Sequence, residues 1–539
     1  MFVLWYLDNA IKRLSKEWTY YSNCTYLVVR KGVFLTMTEL ILGIDIGTGG
    51  CKTTLIDTHG NFIADGFSEY ITYRPFIGWA EQKAADWFPA FLFAFKSSLE
   101  KGGVSAKQIV GLSMSASAHN VVLLDDKNCV IRDTIMWTDQ RSAKESEFLK
   151  REYGDQIFRI GFQVPAPTWT LPQMLWIKNN EPEVFNRISR IMFIKDYLRY
   201  QLTGEWVTDH IEAQGSLLFD NTNWRWAPEL CSLAGISTVL LPPVVKPTDI
   251  VGSITAEASA LTGIPIGVPV VNGAPDTALE HYCVGAIEEG CCVVKIATAS
   301  TVSIFRNEAY PHEAVLTYSQ VPDGLWSTCL ATSSAAASLR WYRDAFCGLE
   351  LHQENNGGKD VYQLLDEEAE DIAPGSSGLI FHPYLMGERS PHWDSKLRGS
   401  FVGITAHHVR GHFSRAILEG VAYSIKDNFV IAQQMQPVRQ ISLVGGGAKS
   451  PLWRSIIANV LGKPIIKYYK DDSSFGAAML AGVGIGVFSS HQDAISKCTR
   501  EAERTYPSLD TTEAYKNGFK LYREIHNKLK DSYKNYESS

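Results

Sequence analysis

From Leu40 onward, short apolar runs alternate with longer stretches of helical spacing. Ile41-Leu42-Gly43-Ile44-Asp45-Ile46 is apolar except for one carboxylate and stops at Gly47-Thr48-Gly49-Gly50. Thr53-Thr54-Leu55-Ile56 then resumes extended character, and two such runs around a Gly/Thr turn predict a hairpin, with Phe62–Phe67 as a third strand. Ala84–Lys101 sets Trp87, Phe88, Phe91, Leu92 and Phe95 at helical spacing. Strand-like runs follow at Ile109–Met114, Val121–Leu124 and Ile188–Ile194, between helical stretches at Ser142–Tyr153, Leu171–Asn179 and Asp196–Leu202. Such alternation predicts an α/β fold, with helices packed on mixed sheets.

The layout then restarts. Cys292–Ile296, the small residues Ala297-Thr298-Ala299-Ser300-Thr301 and Val302–Phe305 repeat strand, turn, strand, without the Asp of the first copy. A helix over Phe413–Val430, a strand over Gln440–Val444, a Gly-Gly-Gly turn, a helix over Pro451–Leu461 and a charged helix over Thr511–Tyr533 complete the second half. The repeat divides the core into residues 37–284 and 285–539, with a cleft between them of the kind in which ligands bind. Met1–Thr36 is read as an extension outside this core, with Met37 a natural first residue. Its apolar Phe2–Leu7 precedes its basic residues, the reverse of a secretory signal.

Composition narrows the function classes. The 539 residues carry a formal charge of −7, which gives no reason to expect nucleic acid or an anionic membrane as partner. Ten cysteines without a C-x-x-C pair suit neither a zinc knuckle nor a redox motif, and the expected location is cytoplasmic.

Several segments carry candidate chemistry. Asp45 stands at a strand end beside Gly47, Thr48, Gly49 and Lys52. Glycines let backbone N–H groups approach phosphate, and a lone carboxylate there can hold Mg²⁺. A plain glycine hairpin is the other reading. The spacing is neither a Walker A loop nor a dinucleotide fingerprint. Gly445, Gly446, Gly447 and Ala448 follow a strand and precede a helix, a nucleotide surface or simply a tight connection. Asp276, after Asn272-Gly273-Ala274-Pro275, can take a proton from an attacking hydroxyl or cap the helix behind it. His119 and the set Trp137, Asp139, Gln140 and Arg141 offer the planar hydrogen-bonding groups that polyols require, with Trp79, Glu81 and Gln82 as further candidates. A satisfied core histidine is the alternative for His119.

These residues resemble the FGGY carbohydrate kinases. The resemblance runs from about Leu40 to Phe488 and rests on Gly43–Thr48, Trp137–Arg141, Tyr384–Asp394 with its Gly387-Glu388-Arg389-Ser390-Pro391, and Gly445–Trp453. It implies two ribonuclease-H-like (actin-like ATPase) domains with a central cleft for ATP, Mg²⁺ and a sugar. Within the family the chain looks most like xylulokinases, through Gly78–Gln82, Trp137–Arg141 and Lys195–Gly204. By resemblance Asp276 is the catalytic base and Asp45 the magnesium-side carboxylate. Trp79, Gln82, Ala118, His119, Asp139 and Arg141 are expected at the sugar. Gly47, Thr48, Gly49, Lys52, Ser300, Thr301 and Gly445–Ala448 are expected at ATP, the second phosphate turn being aligned to Ala299-Ser300-Thr301. The expected reaction is phosphorylation of D-xylulose. Kinases of gluconate, ribulose or glycerol, a silent sugar sensor and an ATP-gated chaperone or filament protein are the rivals. Sugar and ATP are the expected partners, and a homodimer stays open.

Overall fold

The computed structural model describes residues 27–30, 33–36 and 38–534. Within the unit Met1–Glu39 the described part is an antiparallel pair, Leu27–Arg30 with Val33–Thr36. The extension expected over Met1–Thr36 otherwise lies outside the described residues, as does Met37. All that follows concerns the unit Leu40–Ser539.

Two sheets organise that unit, and they share one plan. The first holds six strands in the order Ile250–Ser253, Pro269–Val271, Ile109–Ala116, Leu40–Ile46, Gly50–Asp57, Phe62–Glu69. The second holds seven: Glu501–Thr505, Ile465–Tyr468, Gln440–Val444, Cys291–Ile296, Ser300–Arg306, Trp326–Ala331, Leu316–Ser319. In each, the first strand of the hairpin lies antiparallel to the second and parallel to the neighbour on its other side. That neighbour runs parallel to the next strand, and the strand beyond is antiparallel. The repeat read in the sequence is therefore a repeat of topology. Helices expected over Ser142–Tyr153 and Phe413–Val430 run further, as Ala143–Gly161 and Arg410–Met435, while Pro451–Leu461 and Gln440–Val444 keep their limits.

Equivalent positions in the two sheets carry opposite charges. Asp45 pairs with Lys52 across the first hairpin, and Lys295 with Thr301 across the second, each two residues before its turn. The helices that follow the outer parallel strands, Asp276–Cys283 and Ser473–Gly484, lie against each other. Ser473–Gly484 comes from the second half yet packs on the first sheet: Thr54 Oγ1 and Ser474 Oγ lie 2.6 Å apart. One buried cluster joins Ile41 and Val271 of the first sheet, Val293 and Val444 of the second, Leu279 of helix Asp276–Cys283, and Phe475 and Met479 of helix Ser473–Gly484. Burial of this continuous apolar seam holds the halves together.

Candidate active site

The carboxyl-side ends of the central parallel strands carry the candidate residues, as expected where loops leave a sheet. Asp45 is the penultimate residue of Leu40–Ile46, and its Oδ1 is buried with no hydrogen-bond partner. Burial pushes its pKa up to about 7, assisted by the charges of Asp276 and Glu280 and opposed by the hydroxyls of Ser473 and Ser115. The turn beyond it is tied back through its carbonyls. Gly47 N donates to Gly50 O at 3.0 Å, and Thr48 O accepts Gln82 Nε2 at 2.8 Å and Thr72 Oγ1 at 3.2 Å. Tyr70 OH donates to Gly47 O, and Trp137 Nε1 to Thr48 Oγ1 at 3.0 Å. With its carbonyls held, the turn has N–H groups and the Thr48 hydroxyl to offer an anion. Lys52, expected at ATP, is paired with Asp472 at 3.0 Å and Asp65 at 3.8 Å. Its ammonium ties the first hairpin to the residue that caps helix Ser473–Gly484.

Asp276 begins helix Asp276–Cys283, and its Oδ1 accepts Thr277 N at 2.6 Å. Pro275 is the N-cap, so Asp276 is not the conventional cap; it stands in the first turn, where a carboxylate is favoured by the helix dipole. The approach to it is fixed by Asn272, which accepts Arg199 Nη1 on Oδ1 at 2.6 Å and donates from Nδ2 to Lys246 O at 3.1 Å. Arg199 is in turn bound to Asp196, and Asp196 to Lys195, all fully buried. The Lys195–Gly204 segment is thus a charged frame behind the Asp276 loop. Gly273, at φ 89°, lets that loop meet the neighbouring strand: a Cβ there would stand 1.9 Å from Met114 O.

One turn along from Asp276, Glu280 pairs with Lys295 Nζ at 2.5 Å. Positions i and i+4 share a helix face, so the ammonium lies on the face that Asp276 presents. Burial raises the pKa of both Asp276 and Glu280, and Lys295 opposes the rise. Burial alone would lower Lys295, but Glu280, Asp276 and Asp45 together more than reverse it. Lys295 and Glu280 were not singled out from sequence. The available signal was a lysine interrupting the apolar strand Cys291–Ile296 at the position equivalent to Asp45.

The residues expected at the sugar divide into two layers. Trp137 is 43% exposed beside Thr48, and Ala118 is half-buried at the end of Ile109–Ala116. His119 stands at φ 52° with its ring against Trp169, Nε2 3.2 Å from Thr168 Oγ1 and its main-chain N donating to Glu212. Burial lowers its pKa to about 3, so the ring is neutral, and Nδ1 has no partner. Gln82, Asp139 and Arg141 stand behind this layer with their polar groups engaged by the protein. Gln82 Oε1 accepts Trp87 Nε1 at 3.1 Å while its amide nitrogen holds Thr48. Asp139 takes Arg141 in a two-pronged pair at 2.9 and 2.8 Å, and Arg141 Nη1 reaches Glu81 at 2.7 Å. Its guanidinium lies 3.6 Å from the centre of the Trp79 ring. Bidentate pairing plus stacking makes this arginine a fixed strut.

On the opposite side the second turn differs from its alignment. Its apex is Ala297-Thr298-Ala299, with Ala297 N donating to Ala299 O at 3.0 Å. Ser300 and Thr301 already belong to the strand Ser300–Arg306, and Ser300 is 0% exposed. The hairpin register pairs Ile296 with Ser300, which leaves three residues for the turn and sets Ser300 and Thr301, expected at phosphate, just beyond it. Thr298 is the exposed hydroxyl there. Gly445 sits at φ 89° with N donating to Asp471 Oδ2 at 3.2 Å; Gly446 faces open space, and Gly447 and Ala448 are buried against the sheet and the following helix. Of the four residues expected there, Gly446 is the one with a free face.

The orphaned Oδ1 of Asp45 fits a divalent ion. Among the described residues no group of three His, Cys, Asp or Glu side chains is arranged as a metal cage. Magnesium is ordinarily held by one or two carboxylates together with substrate phosphates, so a single carboxylate beside a phosphate turn matches its chemistry. Replacing this buried acid by a neutral amide should stabilise the ligand-free protein. Folded Asp45 titrates at about 7 against an ordinary 3.8, so its favourable contribution is complete below about pH 4 and is lost as the pH rises through 7. The advantage of Asp45→Asn should grow over that interval and reach about 4 kcal/mol above it, roughly three pKa units at about 1.4 kcal/mol each, read as Tm at pH 5 and pH 8. Equal Tm values at pH 8 would contradict the reading of Asp45 as an acid whose charge is costly to bury.

Comparison with known proteins bears on the whole unit. The model of the FGGY family of carbohydrate kinases, N-terminal domain, matches residues 40–283, and that of the C-terminal domain matches 300–485. A xylulose kinase of Bacillus subtilis (strain 168) is 32% identical over 92% of this chain and 98% of its own length. A gluconokinase of the same organism is 29% identical over 92% of this chain and 97% of its own. The crystal structure described as a xyloylose kinase from Brucella ovis superposes with a TM-score of 0.81 at 30% identity, covering 92% of this chain and 100% of that one. Two sheets of one plan, each ending in a turn at a common cleft, are the actin-like arrangement, and with both domain models matched in order the chain belongs to the FGGY family of carbohydrate kinases, a sugar-phosphorylating enzyme.

Proposed function

We propose that this kinase transfers the γ-phosphoryl group of ATP to a terminal hydroxyl of a neutral ketopentose, D-xylulose, with residues 37–284 carrying sugar and base and 285–539 carrying the nucleotide. The observation that carries the choice of sugar is the state of Arg141. It is the one arginine among the expected sugar contacts, and Asp139, Glu81 and the Trp79 ring consume it. His119 is neutral as well. A sugar acid would find no cation waiting there, whereas an uncharged polyol needs none. The xylulose kinases among the relatives support the same choice.

Asp276 then accepts the proton of the terminal hydroxyl as that oxygen forms its bond to the γ-phosphorus and the bond to ADP breaks. Lys295 favours the ionised form of Asp276 that can do this. The Gly47–Gly49 and Ala297–Ala299 turns would receive the phosphates, because phosphoryl transfer is catalysed chiefly by positioning and charge. Asp45 would hold Mg²⁺, which when bound offsets the charge of the ATP phosphates. Closure of the cleft between the halves would keep water from the γ-phosphorus.

A coupled ADP-release assay over ketoses, polyols and sugar acids tests the reading. D-xylulose should exceed gluconate by at least about tenfold in kcat/KM, the scale of one lost charge-assisted contact. Turnover of gluconate without turnover of xylulose would overturn it.

A further inference from the structure

The motif Tyr384–Asp394 takes no part in the chemistry above, yet it reaches the second turn through a short series of hydrogen bonds. Glu388 is buried, at 4% exposure, between a loop and helix Arg410–Met435. Its Oε1 accepts Ser333 N at 2.5 Å and Arg389 N at 2.8 Å, and its Oε2 accepts Ser424 Oγ at 3.4 Å. Arg389 Nε donates to Thr332 O at 3.2 Å, Nη2 donates to the same carbonyl, and Ser390 N donates to Ala331 O at 3.0 Å. Thr332 is thus gripped at its carbonyl and at the amide that follows it.

Thr332 in turn grips Ser300. Its Oγ1 accepts Ser300 N at 3.0 Å, and its own N donates to Ser300 O at 2.9 Å. Just beyond, Ala335 N donates to Thr298 O and Ala336 N to Ala297 O, both at 2.9 Å. The first turn is held by side chains of its own half, namely Gln82, Thr72 and Tyr70. The second has alanines at its ends, and its shape depends on the segment 332–336 behind it. A guanidinium placing two donors on one carbonyl is charge-assisted, the stronger kind of hydrogen bond, and the buried Glu388 carboxyl accepts two N–H groups beside it.

We propose that Glu388 and Arg389 are positioning residues for the nucleotide: by fixing Thr332 and Ser333 they hold the Ala297–Ala299 turn in the form that receives the terminal phosphates of ATP. The inference rests on the reading of that turn as a phosphate site. Neither residue need touch the nucleotide. A displacement of about 1 Å in a phosphate turn is enough to cost on the order of 10²-fold in rate.

Steady-state kinetics with ATP and sugar varied separately, beside calorimetric ATP binding and Tm, test it. Glu388→Ala should raise KM for ATP about tenfold or more and lower kcat, with the sugar KM within about twofold of wild type. Glu388→Gln keeps an oxygen to accept Ser333 N and should recover most of the loss. Thr332→Val removes the acceptor of Ser300 N at nearly constant shape and should show the same split, so it decides the matter if Glu388→Ala does not fold. Equal losses toward ATP and sugar, an unchanged ATP affinity in folded Glu388→Ala or Thr332→Val, or no recovery in Glu388→Gln would each overturn the proposal. A wild-type protein that bound ATP but phosphorylated no sugar would sink the choice of reaction while leaving the ATP-affinity comparison valid.

Discussion

Asp276→Asn should lose about 10²–10⁴-fold in kcat while ATP binding stays within about twofold, because a positioned general base contributes on that scale. Asparagine keeps the size of the side chain and an oxygen to accept Thr277 N, the 2.6 Å bond that Asp276 makes. It cannot take the proton of the attacking hydroxyl. The placement sharpens the test. Were Asp276 only a first-turn carboxylate, its neutralisation would leave the rate unchanged. Lys295 adds a second readout: with the acid gone, the ammonium keeps Glu280 at 2.5 Å, so the variant should fold with a near-native Tm. A stable, ATP-binding and fully active Asp276→Asn enzyme would remove Asp276 from the mechanism.

The parts legible in the sequence are those with a local signature. The hairpin at Gly47–Gly50 announces itself by an apolar run cut by glycines, and its second copy by the same rhythm, so the repeat is readable from the order of residues alone. Asp45, Asp276 and the Gly445–Ala448 turn stand at strand ends, and the fold brings the first two within electrostatic reach of each other. Partner assignments are not legible in this way. Asp139, Arg141 and Gln82 have the right chemistry for a polyol, but only the three-dimensional arrangement gives them to Glu81, Trp79 and Thr48. The register that moves the second turn to Ala297–Ala299 is likewise set by cross-strand pairing, which a run of small residues does not fix. Helix Ser473–Gly484 is hidden for a different reason. It is buried on nearly all sides, from Ser473 through Gly482, so it lacks the polar face that makes a surface helix visible as a period. Its available signal is the capping Asp472, whose Oδ1 accepts Phe475 N at 3.1 Å.

That helix is also where one methyl group should do the most damage. A Cβ on Gly43 would stand 1.9 Å from Ser474 O and 2.5 Å from Ala478 N. Both are backbone atoms of a buried helix, so no rotamer change relieves the clash; the strand and the helix must part. Parting them opens the seam of Ile41, Leu279, Phe475 and Met479 and breaks the 2.6 Å bond between Thr54 and Ser474. Overpacking with backbone displacement costs about 1–3 kcal/mol even where neighbours can adjust, and here they cannot. Gly43→Ala should therefore lose on the order of 4 kcal/mol or more, the range reserved for a named core defect, and should be recovered largely as insoluble protein. Gly348→Ala is the matched control, because a Cβ there meets nothing within 4 Å. Its Tm should stay at or slightly above that of wild type. The seam also carries Asp45, two residues beyond Gly43 on the strand that the helix presses upon. Any Gly43→Ala protein that does fold should therefore lose phosphorylation more steeply than its melting temperature alone would explain. A soluble Gly43→Ala enzyme with wild-type Tm and rate would show that the close approach of strand and helix does not set the geometry of the site.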